Sequence, residues 1–226
     1  MTDPRLAAKR DAALRAVDLV ESGMIVGLGT GSTAALVVEE IAGRLVSGEL
    51  RDITGIPTSK ATHQAAVLRG IPLTTLEEHP DVDLTIDGAD EVDPDGNLIK
   101  GLGGALLREK IVAMASQRIA IVVDESKLVQ RLGSRGPLPV EVVAFGAGAH
   151  APAIRALGGE PVLRRDPDGS FFLSDEGHYI LDCCFADGIS DPGAVERTLR
   201  DRPGVVETGL FLDMRPEIIV GRAPDR

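Results

Sequence analysis

The sequence predicts an α/β protein in which a Rossmann-like, mostly parallel sheet domain carries a second, smaller ferredoxin-like α+β domain. Three observations lead there. From residue 24 onward, short β-branched runs alternate with helical stretches, the pattern of right-handed βαβ crossovers over a parallel sheet. After the turn signal GSRGPLP (133–139) the order changes to β-α-β-β-α-β, the split βαβ arrangement. With 226 residues, 43% of them hydrophobic, the chain can bury a substantial core.

The elements follow in order. The opening MTDPRLAAKRDAALRAV reads as a helix of mixed charge and lacks the apolar core of a signal peptide. MIVGLG (24–29) is a strand and STAALVVEEIAGRL (32–45) a helix. ITGIPT (53–58) and SKATHQAAVLR (59–69) repeat that pair. DVDLTID (81–87) is a third strand, ALLREKIVAMAS (105–116) a helix and RIAIVVD (118–124) a fourth strand. In the second half, LPVEVVAF, EPVLRR, FFLSDEGHYILDCCF and GVVETGLFL read as strands, the third turning at Asp175-Glu176-Gly177. APAIRALGG and DPGAVERTLRDR read as helices. The tail EIIVGRA returns to the first sheet. The expected domains are therefore 1–134 plus 208–226, Rossmann-like, and 135–207, ferredoxin-like.

Charge narrows the range of functions. With 24 basic and 35 acidic residues the formal net charge is −11, there is no Trp, and aromatics make up 3%. A general nucleic-acid binder needs a basic footprint and often stacking platforms, so no nucleic-acid partner is expected. An anionic ligand needs local positive charge against this field, and the only lysines are Lys9, Lys60, Lys100, Lys110 and Lys127. No apolar run reaches membrane-spanning length, so a cytoplasmic protein without membrane contact is expected. The two cysteines, Cys183 and Cys184, are adjacent on a strand and point to opposite faces, which argues against both a disulfide and a metal site. The histidines at 63, 79, 150 and 178 lack ligand spacing and read as surface or loop residues. No metal and no cofactor are expected.

Ligands of parallel sheets collect at the carboxyl ends of the strands. The segments there are Gly29–Thr33, Thr58–Lys60, Asp87–Asp90 and Asp124–Lys127, all polar. GLGTGST (27–33) sits at a strand-to-helix turn, where glycines admit close approach and a helix N-terminus offers unpaired N–H donors, a cradle for an anion. The other reading is that Ser32 or Thr33 only caps the helix. The loop is neither a dinucleotide fingerprint, since the third glycine of GxGxxG falls on Ser32, nor a Walker A loop. A single small phosphate suits it best.

In DGADEVDPDGN, an EF-hand register with Gly96 in sixth place puts Leu102 in twelfth, which cannot supply the bidentate carboxylate. Asp93 and Asp95 read as turn residues, whereas Asp87 and Asp90 flank Gly88 and Ala89 at the rim. In KGLGGALLREK (100–110) the consecutive Arg108, Glu109 and Lys110 fan over roughly 200° of a helix, so at least one charge points inward. A partly buried carboxylate has a raised pKa and suits a general base near neutrality, although the pattern alone favours a pair between Glu109 and a core arginine.

GLGTGST, PTS (57–59), DGADEVD (87–93), KGLGGALLREK, DESK (124–127), PLPVEV (137–142) and PGVVETGLF (203–211) together resemble, in order and over nearly the whole chain, the A-type ribose-5-phosphate isomerases. Leu102 departs from that family's pattern, which runs as continuous glycines after the lysine. The resemblance implies an aldose-ketose isomerase interconverting D-ribose 5-phosphate and D-ribulose 5-phosphate through an enediolate, in the non-oxidative branch of the pentose phosphate pathway. It implies Glu109 as the base, Lys100 as stabiliser of the enediolate oxygen, and Asp87 and Asp90 as holders of substrate hydroxyls that help open the furanose ring. It further implies substrate contacts from Thr30, Gly31, Ser32, Thr33, Asp87, Gly88, Ala89, Asp90, Lys100, Gly101, Leu102, Gly103 and Lys127. The partner is then a small pentose 5-phosphate, and a homodimer or homotetramer is expected. The alternatives are a sugar-phosphate-sensing module and a related sugar-phosphate isomerase or coenzyme A transferase-like protein.

Overall fold

Alternating β-branched runs and amphipathic stretches give the element order. The computed structural model describes residues 3–222. In chain order the elements are α1 (Pro4–Val17), β1 (Ile25–Leu28), α2 (Ser32–Ser47), β2 (Thr54–Pro57), α3 (Lys60–Leu68), β3 (Val82–Asp87), β4 (Glu91–Val92) and β5 (Leu98–Ile99). Then follow α4 (Leu106–Met114), β6 (Ser116–Asp124), β7 (Leu138–Val142), α5 (Ala151–Ala156), β8 (Gly159–Leu163), β9 (Tyr179–Phe185), α6 (Pro192–Arg200), β10 (Val205–Thr208), β11 (Leu210–Phe211) and β12 (Glu217–Gly221).

The chain divides into two compact units. The first runs to Ala89, takes in Arg108–Lys127 and resumes at Met214. Its sheet has the order β12-β6-β3-β1-β2 and is parallel throughout. All five carboxyl ends therefore lie along one edge, with Gly29, Thr58, Asp87 and Asp124 at or just after them. The tail returns to this sheet as β12, alongside β6. Val26, Leu28, Leu84, Ile86, Ala120 and Val122 join Ala16 and Val17 of α1 and Val37, Val38 and Ile41 of α2 in one core. Each fully buried Val, Leu or Ile side chain there contributes about 1.5–3 kcal/mol. Val112 of α4 packs with Ile56 and Val82 in a separate cluster.

The second unit comprises Asp90–Leu107 and Leu128–Asp213. Its antiparallel sheet, β10-β7-β9-β8, is the β-α-β-β-α-β arrangement expected from residue 138. Beside it in sequence is a three-stranded ribbon, β11-β5-β4, that the sequence pattern did not indicate. These units divide elsewhere than at 134/135 and 207/208, because β5 pairs with β11 and Leu128 bridges Val92, which draws 90–107 and 128–134 into the antiparallel unit. GVVETGLFL, expected as one strand, is split at Gly209, whose N–H donates to Pro139 O at 2.7 Å and whose carbonyl accepts from Lys100 N at 2.9 Å. Phe171–Leu173 forms only an isolated bridge to Arg165 rather than strand.

His150 differs from the expectation of a surface or loop position, whereas His178 is a half-buried loop residue. His150 is buried beside Arg202, and burial together with that charge holds it below the usual imidazole range. His178 Nδ1 lies 3.0 Å from Oε1 of the buried Glu141. Cys183 is buried and Cys184 exposed, both free, as alternation on β9 requires. Burial pushes the Cys183 thiol up.

Candidate active site

On the parallel unit the GLGTGST turn is held by polar contacts from neighbouring strands. Thr30 N donates to Asp87 Oδ1 at 3.0 Å, and Gly88 N donates to the same oxygen at 2.7 Å. Gly29 is required here, since a Cβ would overlap the Asp87 carboxylate. The Thr30 hydroxyl joins a cluster with Thr58 Oγ1 at 2.9 Å, Ser59 Oγ at 2.8 Å and Thr62 Oγ1 at 3.2 Å. Thr58 and Thr62 in turn donate to Leu28 O and Gly29 O. The PTS motif therefore pins the loop, and Ser59 also caps α3 by accepting from Thr62 N at 3.0 Å.

The structure removes the capping reading of Ser32 and Thr33. The N-cap of α2 is Gly31 at φ 106°, with no side-chain capping bond. Ser32 and Thr33 are the first helical residues, so neither hydroxyl serves as a cap. Ser32 Oγ accepts from Lys9 Nζ at 2.9 Å. Lys9, on α1, is a residue whose place the sequence alone did not signal, because it lies 23 positions from the loop it reaches. Burial raises the Asp124 carboxyl, but hydrogen bonds from Ser126 and the charges of Lys9 and Lys127 outweigh it and hold it below the usual range. Two lysines thus stand near the rim of an otherwise acidic protein. The helix N-terminus with its N–H groups and these cations provides what a phosphate needs.

Asp87 is 2% exposed and Glu109, on α4, 5% exposed. Of the three consecutive charges on α4, Glu109 and Lys110 are buried and Arg108 is half-buried, while Ile111 and Met114 are 49% and 72% exposed. Gly88 and Ala89 follow Asp87 as half-buried loop residues.

The antiparallel unit carries Asp90, Lys100, Gly101, Leu102 and Gly103. Lys100 is 3% exposed, its Nζ 5.6 Å from the centroid of the Phe211 ring. Asp90 Oδ2 accepts from Leu102 N at 2.9 Å, and Asp90 N donates to Ile99 O at 2.8 Å. The Leu102 side chain is 44% exposed and its N–H keeps the bond to Asp90, so the departure from glycine leaves that hydrogen bond in place. Asp93 Oδ1 accepts from Asp95 N and Asn97 N, a closed turn as expected. Glu91, which the sequence did not distinguish from its acidic neighbours, accepts from Gly133 N, Arg135 N and Gly136 N at 2.6, 2.8 and 2.9 Å. Among the described residues no group of three or more His, Cys, Asp or Glu is placed to hold a metal ion.

A parallel sheet with an uncapped glycine turn, two lysines and a buried carboxylate along its carboxyl edge defines an α/β protein equipped for a small phosphorylated ligand. The family model of ribose 5-phosphate isomerase A (phosphoriboisomerase A) matches residues 54–225, and the chain belongs to that family. The ribose-5-phosphate isomerase A of Roseiflexus castenholzii is 53% identical over 96% of this chain and 92% of its own. That of Gloeobacter violaceus is 57% identical over 94% and 91%. Among solved structures, a D-ribose-5-phosphate isomerase in complex with phospho-erythronic acid superposes with a TM-score of 0.92 at 37% identity, covering 98% of this chain and 96% of that one. Ribose 5-phosphate isomerase from Plasmodium falciparum gives 0.89 at 42% identity, covering 92% and 91%.

Proposed function

We propose that this chain carries out the family's reaction, the interconversion of D-ribose 5-phosphate and D-ribulose 5-phosphate, with Glu109 as the base and Lys100 as the electrostatic partner. The observation that carries this reading is family membership over nearly the whole chain together with the presence of Glu109, Lys100, Asp87 and Asp90, three of them almost fully buried. Membership favours the isomerase over a sensing module or a coenzyme A transferase-like protein.

Aldose-to-ketose conversion moves one proton from C2 to C1 and transfers the hydroxyl proton from O2 to O1. In the proposed sequence, Asp87 and Asp90 hold ring hydroxyls and assist opening of the furanose. The Glu109 carboxylate then takes the C2 proton, leaving a cis-enediolate in which the O2 hydroxyl proton passes to the adjacent O1, and returns the first proton to C1 on the same face. The Lys100 ammonium faces the developing oxyanion, where a fixed charge stabilises the transition state more than the ground state. The turn Thr30–Thr33, with Lys9 and Lys127, holds the phosphate, so binding energy is realised far from the reacting carbons. Gly88, Ala89, Gly101, Leu102 and Gly103 supply backbone contacts. A carboxylate and an ammonium suffice for this chemistry, so ketopentose phosphate is expected to form from ribose 5-phosphate at an unchanged rate after dialysis against EDTA. Absence of the product, or a rate restored only by a divalent metal, would refute the reading.

The phosphate cradle makes a separate prediction. Thr33→Val is expected to weaken binding of phospho-erythronic acid, the ligand of the solved relative, by roughly tenfold or more, since one hydrogen bond to a charged group is worth about 1.5–3 kcal/mol. Calorimetric titration measures it, and an unchanged dissociation constant would remove Thr33 from the site.

We also propose that the protein works in the cytoplasm as a homodimer or homotetramer. No described helix is long and apolar enough to cross a membrane, and two free thiols suit a reducing compartment. Val162, Phe171 and Leu173 expose apolar surface on the antiparallel unit of the kind a second copy covers.

A further inference from the structure

The peptide joining Gly101 to Leu102 is gripped at both ends. Its carbonyl oxygen accepts from Arg164 Nη1 at 3.1 Å, and its N–H donates to Asp90 Oδ2 at 2.9 Å. The same Nη1 donates to Leu102 O at 3.0 Å. Arg164 follows β8 directly and continues its ladder, its N–H donating to Ile180 O at 2.8 Å. The guanidinium is fixed in turn by Asp182 of β9, with Nε to Oδ2 at 2.9 Å and Nη2 to Oδ1 at 2.5 Å, and it lies over the Phe172 ring at 5.3 Å. A planar fork that is charged at every accessible pH and held bidentately on a sheet is a rigid anchor.

The loop needs such an anchor. Gly101 sits at φ 105°, and the plane after a glycine rotates readily because no Cβ resists it. A flipped plane would withdraw the N–H from Asp90 and aim a carbonyl oxygen toward its carboxylate, one residue from Lys100. The guanidinium on the carbonyl side opposes that flip, together with Gly104 N, which donates to the same oxygen at 3.0 Å. We propose that Arg164 is a positioning residue for the isomerisation: by locking the Gly101–Leu102 peptide it holds the Asp90 carboxylate and the Lys100 backbone in their working orientation. The proposal rests on the reading of Asp90 and Lys100 as substrate-handling groups.

Arg164→Lys keeps a cation beside Asp182 but cannot hold Asp182 and two carbonyls together. Arg164→Ala removes the anchor and leaves room for free guanidinium. In both variants kcat is expected to fall tenfold or more, with KM changing less, since displacement of a reacting group by about 1 Å costs up to roughly 10²-fold. Millimolar guanidinium is expected to restore part of the turnover of Arg164→Ala while ethylammonium does not, and the Leu102 amide is expected to exchange its hydrogen faster in both. If Arg164→Ala does not fold, Arg164→Lys and Asp182→Asn decide the matter by the same amide exchange and kcat. Turnover within twofold of wild type in folded Arg164→Lys, or lost turnover with unaltered Leu102 exchange, overturns the proposal. Lys100→Met separates the two levels. An inactive Lys100→Met beside a fully active Arg164→Lys removes only the anchor, whereas wild-type turnover in Lys100→Met removes the underlying reading and the proposal with it.

Discussion

Glu109→Gln is expected to bind substrate normally and to turn over 10²–10⁴-fold more slowly, the usual cost of a lost general base, ~10²–10⁴. The substitution keeps the size of the side chain and its ability to hydrogen-bond, and it removes only the carboxylate proposed to accept the C2 proton. At 5% exposure this side chain also contributes to folding, so stability must be measured beside activity. A carboxylate serving only as partner to a buried cation would show the opposite signature: turnover close to normal and a loss of about 3–5 kcal/mol in stability from breaking a buried pair. The measurements are turnover, the dissociation constant for phospho-erythronic acid and the urea midpoint, on one preparation. Turnover down at least a hundredfold with unchanged affinity and midpoint supports the assignment. Near-normal turnover in a folded Glu109→Gln protein ends it.

Glu91→Ala is expected to have the largest effect on folding, a loss of at least about 3 kcal/mol. Its carboxylate is 2% exposed and accepts three backbone N–H groups, from Gly133, Arg135 and Gly136. Hydrogen bonds to a charged acceptor contribute about 1.5–3 kcal/mol each, and truncation leaves buried donors without a partner. Glu91→Gln does not repair the site, because both oxygens accept and an amide would turn an N–H₂ toward a donor. Urea denaturation measures the loss. A midpoint within the error of wild type for Glu91→Ala would show that the 133–136 turn does not depend on this carboxylate.

Glu91 belongs to a stretch with four acidic residues, Asp87, Asp90, Glu91 and Asp93, that differ in role, and the sequence could take that division only part of the way. Asp93 was legible as a turn residue because Pro-Asp-Gly-Asn is local chemistry, and its contacts are local, within four residues. Asp87 was legible as a rim residue because it ends a strand of clear pattern. Glu91 was not, because its partners lie 42 to 45 residues away. The strands holding Glu91 and preceding Lys100, β4 and β5, have two residues each, too few to show a period of two. The same limit hid the break at Gly209 and left Lys9 and Arg164 without a signal, since each acts on a loop distant in sequence.

Short-range periodicity and turn chemistry encode a definite share of this protein. The parallel αβ alternation, the change to β-α-β-β-α-β, the return of the tail to the first sheet, the glycine turn at the end of β1 and the family resemblance were all readable there. Which charges are buried, and what each one holds, follows from contacts between distant segments. On α4 the pattern alone could not say that Glu109 and Lys110 turn inward while Ile111 and Met114 face outward, an order opposite to hydrophobicity. Helical spacing fixes the angle between neighbouring side chains, but the rotation of the helix about its axis is set by the partners it packs against, and those come from distant parts of the chain.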